Sequence, residues 1–315
     1  LLRYVLKRIG YSVLTLFVLI ALTFFLMRLL PGDPFLGEKA VPDNIKEVLN
    51  AKYGLDKPVY EQFFIYIGNI LHGDFGSSMA YRNREVNDII GQAFPYSFDL
   101  GLRALIFALI AGVLLGVVAS THHGKAWDTT SILIAVIGVS VPSFIMGAVI
   151  QYGVALKLQQ LLHIRVIPIM GWNSELSKLL PSFALGLSAL ATITRIMRTS
   201  MLDVISQDYI KTARAKGLSQ TVIIWRHAIR NAILPVVTIL GPLSASILTG
   251  AFVVEQIFNI PGLGKFFVMS VQASDYTMIS GLTVFYGSIL ILCNMLVDIA
   301  YGFIDPRIKL AKGKG

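Results

Sequence analysis

Apolar residues run in six long stretches, roughly 9–30, 98–120, 130–156, 179–197, 233–254 and 279–304, and the core of each is free of Lys, Arg, Asp and Glu. At about 1.5 Å rise per residue, about 20 apolar residues cross roughly 30 Å of hydrocarbon. The pattern therefore predicts an all-α polytopic membrane protein with six transmembrane helices. The first stretch follows Arg3, Lys7 and Arg8 and lacks a small-residue cleavage site, so it is expected to be a retained helix. Between the first two stretches, Pro31 and Pro34 bracket Gly32 and Asp33 and should break the first helix sharply. Short helices fit Asp43 to Tyr53, stopped by Gly54, and Pro58 to Leu71, with Asp56 near the cap and Gly73 beyond the end. In the second, apolar residues at 59/60, 63/64, 66/67 and 70/71 form one stripe, expected on the membrane surface or on the bundle. The chain divides into helix 1 (1–30), a helical region (31–96), a five-helix core (97–304) containing a charged segment (199–232), and a tail (305–315).

The spans carry their own punctuation. Gly112 and Gly116 make a small-xxx-small face. Pro142 sits in the middle of the third stretch, and Pro235 and Pro242 mark the fifth. Such prolines serve as hinges or as packing kinks, and the pattern does not choose. Thr238, Ser244, Ser246 and Thr249 place hydroxyls in the fifth stretch, suited to a wet path or to interhelical hydrogen bonds.

Charge orients the chain. Hydrophobic residues are 55% and charged residues 14% of 315, against about a quarter charged in a globular protein. With both termini inside, the inner side holds 15 Lys/Arg and 5 acidic residues, and the outer side 12 and 13. This asymmetry predicts cytoplasmic termini and accounts for the net charge of +9 without nucleic acid. Cys293 has no partner for a disulfide, no metal-ligand spacing occurs, and His122-His123 reads as a solvated loop. Asp99 and Arg103 stand one turn apart and can pair. Asn294 and Asp298 lie toward the inner end of the sixth stretch, where Asp298 could pair with Arg195 or Arg198 or form part of an inner gate.

No ionisable group occupies a span centre, as proton- or sodium-coupled carriers generally require. There is no GxxxxGK[ST] phosphate loop, HExxH or GxSxG motif, so no catalytic, metal or cofactor site is expected. Active transport would need a motor outside the chain. The charged segment offers it a handle. Met201, Ile205, Tyr209 and Ala213 recur every four residues, Gly217 suits a left-handed cap, and Ser219 can cap a second helix leading to Arg226, His227 and Arg230. Small Ala213, Ala215 and Gly217 at the bend would allow another protein to approach; a basic membrane-surface loop is the alternative.

These residues resemble the cytoplasmic loop of bacterial ABC-importer membrane subunits, and more closely that of the dipeptide/oligopeptide permease branch. The general pattern is Glu-Ala-Ala, three residues, Gly, nine residues, Ile-x-Leu-Pro. Here Gly217 fits, while Lys211-Thr212-Ala213 replaces Glu-Ala-Ala and Ile229-Arg230 replaces Leu-Pro, as in the peptide branch. Arg3-Tyr4 through Pro34, Tyr53 through Pro58 with Gly73 through Gly76, Glu255 through Gly264 with Asp275-Tyr276, and Asn294 through Ile308 resemble the same branch in order. The fit is best to the first permease of oligopeptide systems.

The resemblance implies a type I-like importer fold, a homologous second permease, two cytoplasmic ATP-binding subunits that hold ATP and Mg, an external peptide-binding lipoprotein, and peptide cargo. It also implies that Asp208, Tyr209, Lys211, Thr212, Ala213, Arg214, Ala215, Lys216, Gly217 and Leu218 couple to an ATPase. The same branch carries dipeptides, glutathione or nickel chelates. Glu255, Pro261, Gly262 and Gly264, in a loop too short and polar to span, are expected to gate or dock on the outer side.

Overall fold

The computed structural model describes residues 2–29, 47–48, 50–51, 53–81, 84–163 and 168–304. The expected break at Pro31 to Pro34, most of the helix at 43–53, and the tail from Asp305 lie outside the described residues. The helices are α1 (Leu2–Leu29), α2 (Val59–Leu71), α3 (Val86–Thr121), α4 (Ala126–Ser140), α5 (Ser143–Leu161), α6 (Glu175–Ile205), α7 (Asp208–Ala215), α8 (Gln220–Ala232), α9 (Leu234–Ile257), α10 (Leu263–Gln272) and α11 (Tyr276–Ile304). Among the described residues, four helices are long and apolar enough to cross a membrane singly, and there are up to six spans if the bent pairs α4–α5 and α8–α9 each count as one.

Two expected spans differ in form. The second begins at Val86 rather than 98 and runs 36 residues with Pro95 inside. Val86, Ile89, Ile90 and Ala93 are buried at helical spacing, so the segment is an amphipathic helix that an apolar-run criterion passes over. The third stretch is broken. Val141 is extended ahead of Pro142, which opens α5, and the two halves meet at 109°. Proline pushes the preceding residue out of the helical region and withholds an N–H donor, so the helix stops there.

The chain forms two compact units, residues 1–97 with 261–292, and 98–260 with 293–315. In the first, Phe63 and Tyr66 of the α2 stripe lie on α1, while Val59, Tyr60, Phe64 and Leu71 of the same stripe are exposed. The Phe63 ring sits 5.3 Å from Phe24 and 5.1 Å from Phe25, and Arg28 Nε donates to Gln62 Oε1 at 2.9 Å. Asp275, fully buried, accepts from Ser78 Oγ, from the backbone N–H groups of Met79 and Ala80, and from Met278 N–H at the start of α11. One carboxylate thus fastens the 78–80 loop to the last long helix. Burial, with the Asp275 charge nearby, pushes the phenols of Tyr53 and Tyr81 up.

In the second unit α6 is the central post, with α3, α4, α5 and α9 packed on it. Close approach is made by glycine. A Cβ on Gly116 would stand 2.6 Å from Met197 Cβ, and one on Gly112 2.9 Å from Ile193 Cβ. The small-xxx-small face is therefore the α3–α6 contact. Gly138 does the same for α4, where a Cβ would meet Ala191 Cβ at 2.8 Å. Asp99 pairs with Arg103 at 2.7 Å as expected, and Glu175 and Lys178 extend the cluster.

Candidate coupling site

The charged segment folds as a helical hairpin, with a phase shift the periodicity did not anticipate. Met201 and Ile205 belong to α6, which ends where Ser206 Oγ turns back to the Asp203 carbonyl. Gln207 is extended, and α7 restarts at Asp208. The break resets the helical register. Ile210 and Ala213 are buried, while Tyr209, expected on the apolar stripe, is 43% exposed. Asp208 sits in the first turn, where a negative charge suits the helix dipole, and pairs with exposed Lys211 at 2.9 Å.

The bend is built from backbone. Gly217 has φ +80, and Lys216, Gly217 and Leu218 N–H groups donate to the carbonyls of Thr212, Arg214 and Ala213. Ser219 then caps α8 by accepting from Val222 N–H. Residues 223–228, like residues 151–158, are wound as a π-helix, a form frequent at functional sites. Ile223, Ala228 and Ala232 are buried in the same core as Ile210 and Ala213. Asn231 Nδ2 donates to the Tyr209 hydroxyl at 2.9 Å and to the His227 carbonyl, tying α8 to α7.

Outward, the hairpin presents Tyr209, Leu218, Val222 and Trp225 among Lys211, Arg214, Lys216, Arg226 and Arg230. Thr212 and Ala215 are also exposed. Ala213 is not available to another protein: its small size serves the chain's own core, which corrects the expectation that it lined the approach.

The other candidate residues scatter. Thr238 and Ser244 donate to the carbonyls four residues back in their own helix, so their hydroxyl protons are satisfied within it. Ser246 is exposed and lines a cavity of about 210 Å³ with Ser140, Ser143 and Ser188 at the break between α4 and α5. The side chain of Thr249 lies outside the described residues.

Glu255 is fully buried near the end of α9, whose stop is set by Asn259 at φ +51 and an Ile260 N–H bond to the Glu255 carbonyl. Pro261 is exposed, Gly262 and Gly264 are buried, and Leu263 N–H donates to Ser97 Oγ. The expected loop is in fact a ten-residue helix, α10.

Arg198 pairs with Asp128. Its Nε and Nη2 reach the two carboxylate oxygens at 2.6 and 2.8 Å, and Gly124 N–H and His123 Nδ1 complete the cluster. His123 is therefore engaged, not merely a solvated loop residue. Arg195 is exposed, Asn294 packs against Gly241, and the Asp298 side chain lies outside the described residues. The structural roles of Asp128 and Asp275 could not be read from the sequence, because Arg198 lies 70 residues from the first and Ser78 nearly 200 from the second.

A bundle of apolar helices around a central post, interrupted by a charged hairpin, has the architecture of an ABC-importer permease. The MetNI methionine ABC transporter, in two inward-facing crystal forms, matches with TM-scores of 0.55 and 0.52 at 15% identity; each match covers 69% of this chain, and 96% and 94% of the respective solved chains. The family described as "Binding-protein-dependent transport system inner membrane component" matches residues 112–310, and its N-terminal companion matches 1–101. The chain belongs to this family. The dipeptide transport system permease protein DppB of Bacillus subtilis is 45% identical, covering 98% of this chain and 99% of its own length. The oligopeptide transport system permease protein OppB is 42% identical in Haemophilus influenzae and 41% in Salmonella typhimurium, with the same coverage. The chain is a membrane permease of the peptide ABC importer family, an inner-membrane protein that is not catalytic; ATP hydrolysis belongs to partner ATPases.

Proposed function

We propose that this chain is one of two membrane-spanning subunits of an ATP-driven oligopeptide importer and forms half of its translocation path. The observation that carries the reading is the hairpin. Ile210, Ala213, Ile223 and Ala228 root it in the helix core, while Tyr209, Leu218, Val222 and Trp225 face outward among cations. A cytoplasmic ATPase gripping that face would move α6 and α9 with it, since packed helices shift as rigid bodies. Two such ATPases hold ATP and Mg. A homologous second permease completes the path, and an external binding lipoprotein delivers peptide. The uncharged span centres suit a cargo whose side chains vary.

Dipeptides are the second reading, favoured by the 45% identity to DppB. The test is uptake of labelled peptides of two to five residues by proteoliposomes holding all five polypeptides. Import of tri- to pentapeptides is expected. Import of dipeptides alone, or only of glutathione or nickel chelates, reassigns the cargo. Transport by the purified chain without ATPases would overturn the importer reading in favour of a channel or secondary carrier.

A further inference from the structure

A cavity of about 350 Å³ opens between α4 and α6, within the second unit and away from the hairpin's outer face. Asp128 meets Arg198 at one end of this antiparallel pair, and Gly138 meets Ala191 farther along. Ile132, Val136 and Val139 fall at helical spacing on α4 and form an apolar wall, each between 43% and 55% exposed. From Ser131 to Val139 that wall is about 12 Å long at the helical rise. Arg195 lines the end nearer the Asp128–Arg198 pair; it is exposed and makes no ion pair among the described residues. Arg198 is already held by Asp128. Thr194, beside Arg195, is 1% exposed, and its hydroxyl has no hydrogen-bond partner among the described residues. Trp127, 63% exposed one turn beyond, stands where an interfacial aromatic would.

An exposed Arg195 without an ion pair among the described residues, at the mouth of a largely apolar slot and near exposed Trp127, is complementary to an anionic amphiphile. We propose that the cavity seats an anionic phospholipid from the leaflet on the hairpin side, its phosphate on Arg195 and an acyl chain along Ile132, Val136 and Val139. Long basic side chains near helix ends reach to the headgroup level while their stems stay apolar. Basic pockets between membrane helices recruit acidic headgroups by the same balance. Because Arg195 sits on α6, the helix that leads into the hairpin, the lipid would brace that helix against α4.

The inference is independent of which peptide is carried. Its test is native mass spectrometry of the intact transporter reconstituted with equal phosphatidylglycerol and phosphatidylcholine. Wild type is expected to retain phosphatidylglycerol. Arg195→Gln should lower retention about fivefold, the effect of one cation facing an anionic surface, while Arg195→Lys and Lys265→Gln, an exposed lysine of the other unit, keep it. Val136→Trp, which fills the slot, should lower retention of both lipids without altering subunit composition. Unchanged retention in Arg195→Gln, or equal loss of both lipids there, overturns the assignment. So does a Val136→Cys crosslink that captures the second permease or a carboxylate-ended peptide instead of a lipid probe.

Discussion

Gly217 stands at φ +80, yet a Cβ placed there would meet nothing within 4 Å. The constraint inside this chain is therefore conformational: an L-residue in that region costs roughly 1–2 kcal/mol, and asparagine bears it best. If the bend only has to hold its shape, Gly217→Asn should preserve more peptide-stimulated ATPase activity in the assembled transporter than Gly217→Ala. If the ATPase presses against the bend, the order reverses, because asparagine is the larger. Arg198 is a different case. Its two hydrogen bonds neutralise Asp128, whose side chain is 5% exposed, so Arg198→Ala strands a buried carboxylate. Breaking such a pair costs about 3–5 kcal/mol. The apparent thermal midpoint in detergent should fall markedly, and Asp128→Asn added to Arg198→Ala should recover much of the loss. A double variant no more stable than the single one would mean that the pair is not what holds α4 to α6.

At the scale of elements, glycine decides which helices touch. Gly112 and Gly116 on α3 meet α6 so closely that the Cβ of valine would collide with Ile193 or Met197 and with the backbone carbonyls of Leu190 at 3.0 Å or Thr194 at 2.9 Å. Gly116→Val should thus destabilise the bundle by roughly 1–3 kcal/mol, as overpacking does. Gly10→Ala, on an exposed turn of α1 with open space around it, should leave the midpoint unchanged or raise it slightly. Thermal unfolding of the two variants in one detergent checks the contrast. The long apolar helices were legible because twenty apolar residues have few other uses, and the Gly112/Gly116 face was legible because both members lie on one helix. The α4 contact was not, since Gly138 alone carries no spacing. The pairing of Arg198 with Asp128 was not either, because hydropathy does not say which helices are neighbours. The hairpin's existence and its Gly217 bend could be read directly, whereas its buried face could not, because the turn at Ser206 and Gln207 shifts the register between Ile205 and Ile210.

Across the whole molecule, one expectation ties every proposed role to a side of the membrane. The charge asymmetry puts α7 and α8 inside and α10 outside, with α9 as the single crossing between them. In a chain freed of its one cysteine by Cys293→Ala, cysteines at two exposed positions separate the alternatives: Gln220→Cys on the hairpin and Gln272→Cys at the end of α10. A membrane-impermeant maleimide applied to intact cells should label the Gln272 variant at once and the Gln220 variant only after the membrane is opened. The reverse order would invert the molecule and remove the hairpin from any cytoplasmic motor. Labelling of both from outside would mean that α9, bent by 51° from α8, folds back without crossing. Only the first outcome places a positively charged, core-rooted handle on the side where ATP is hydrolysed, and the importer mechanism requires that placement.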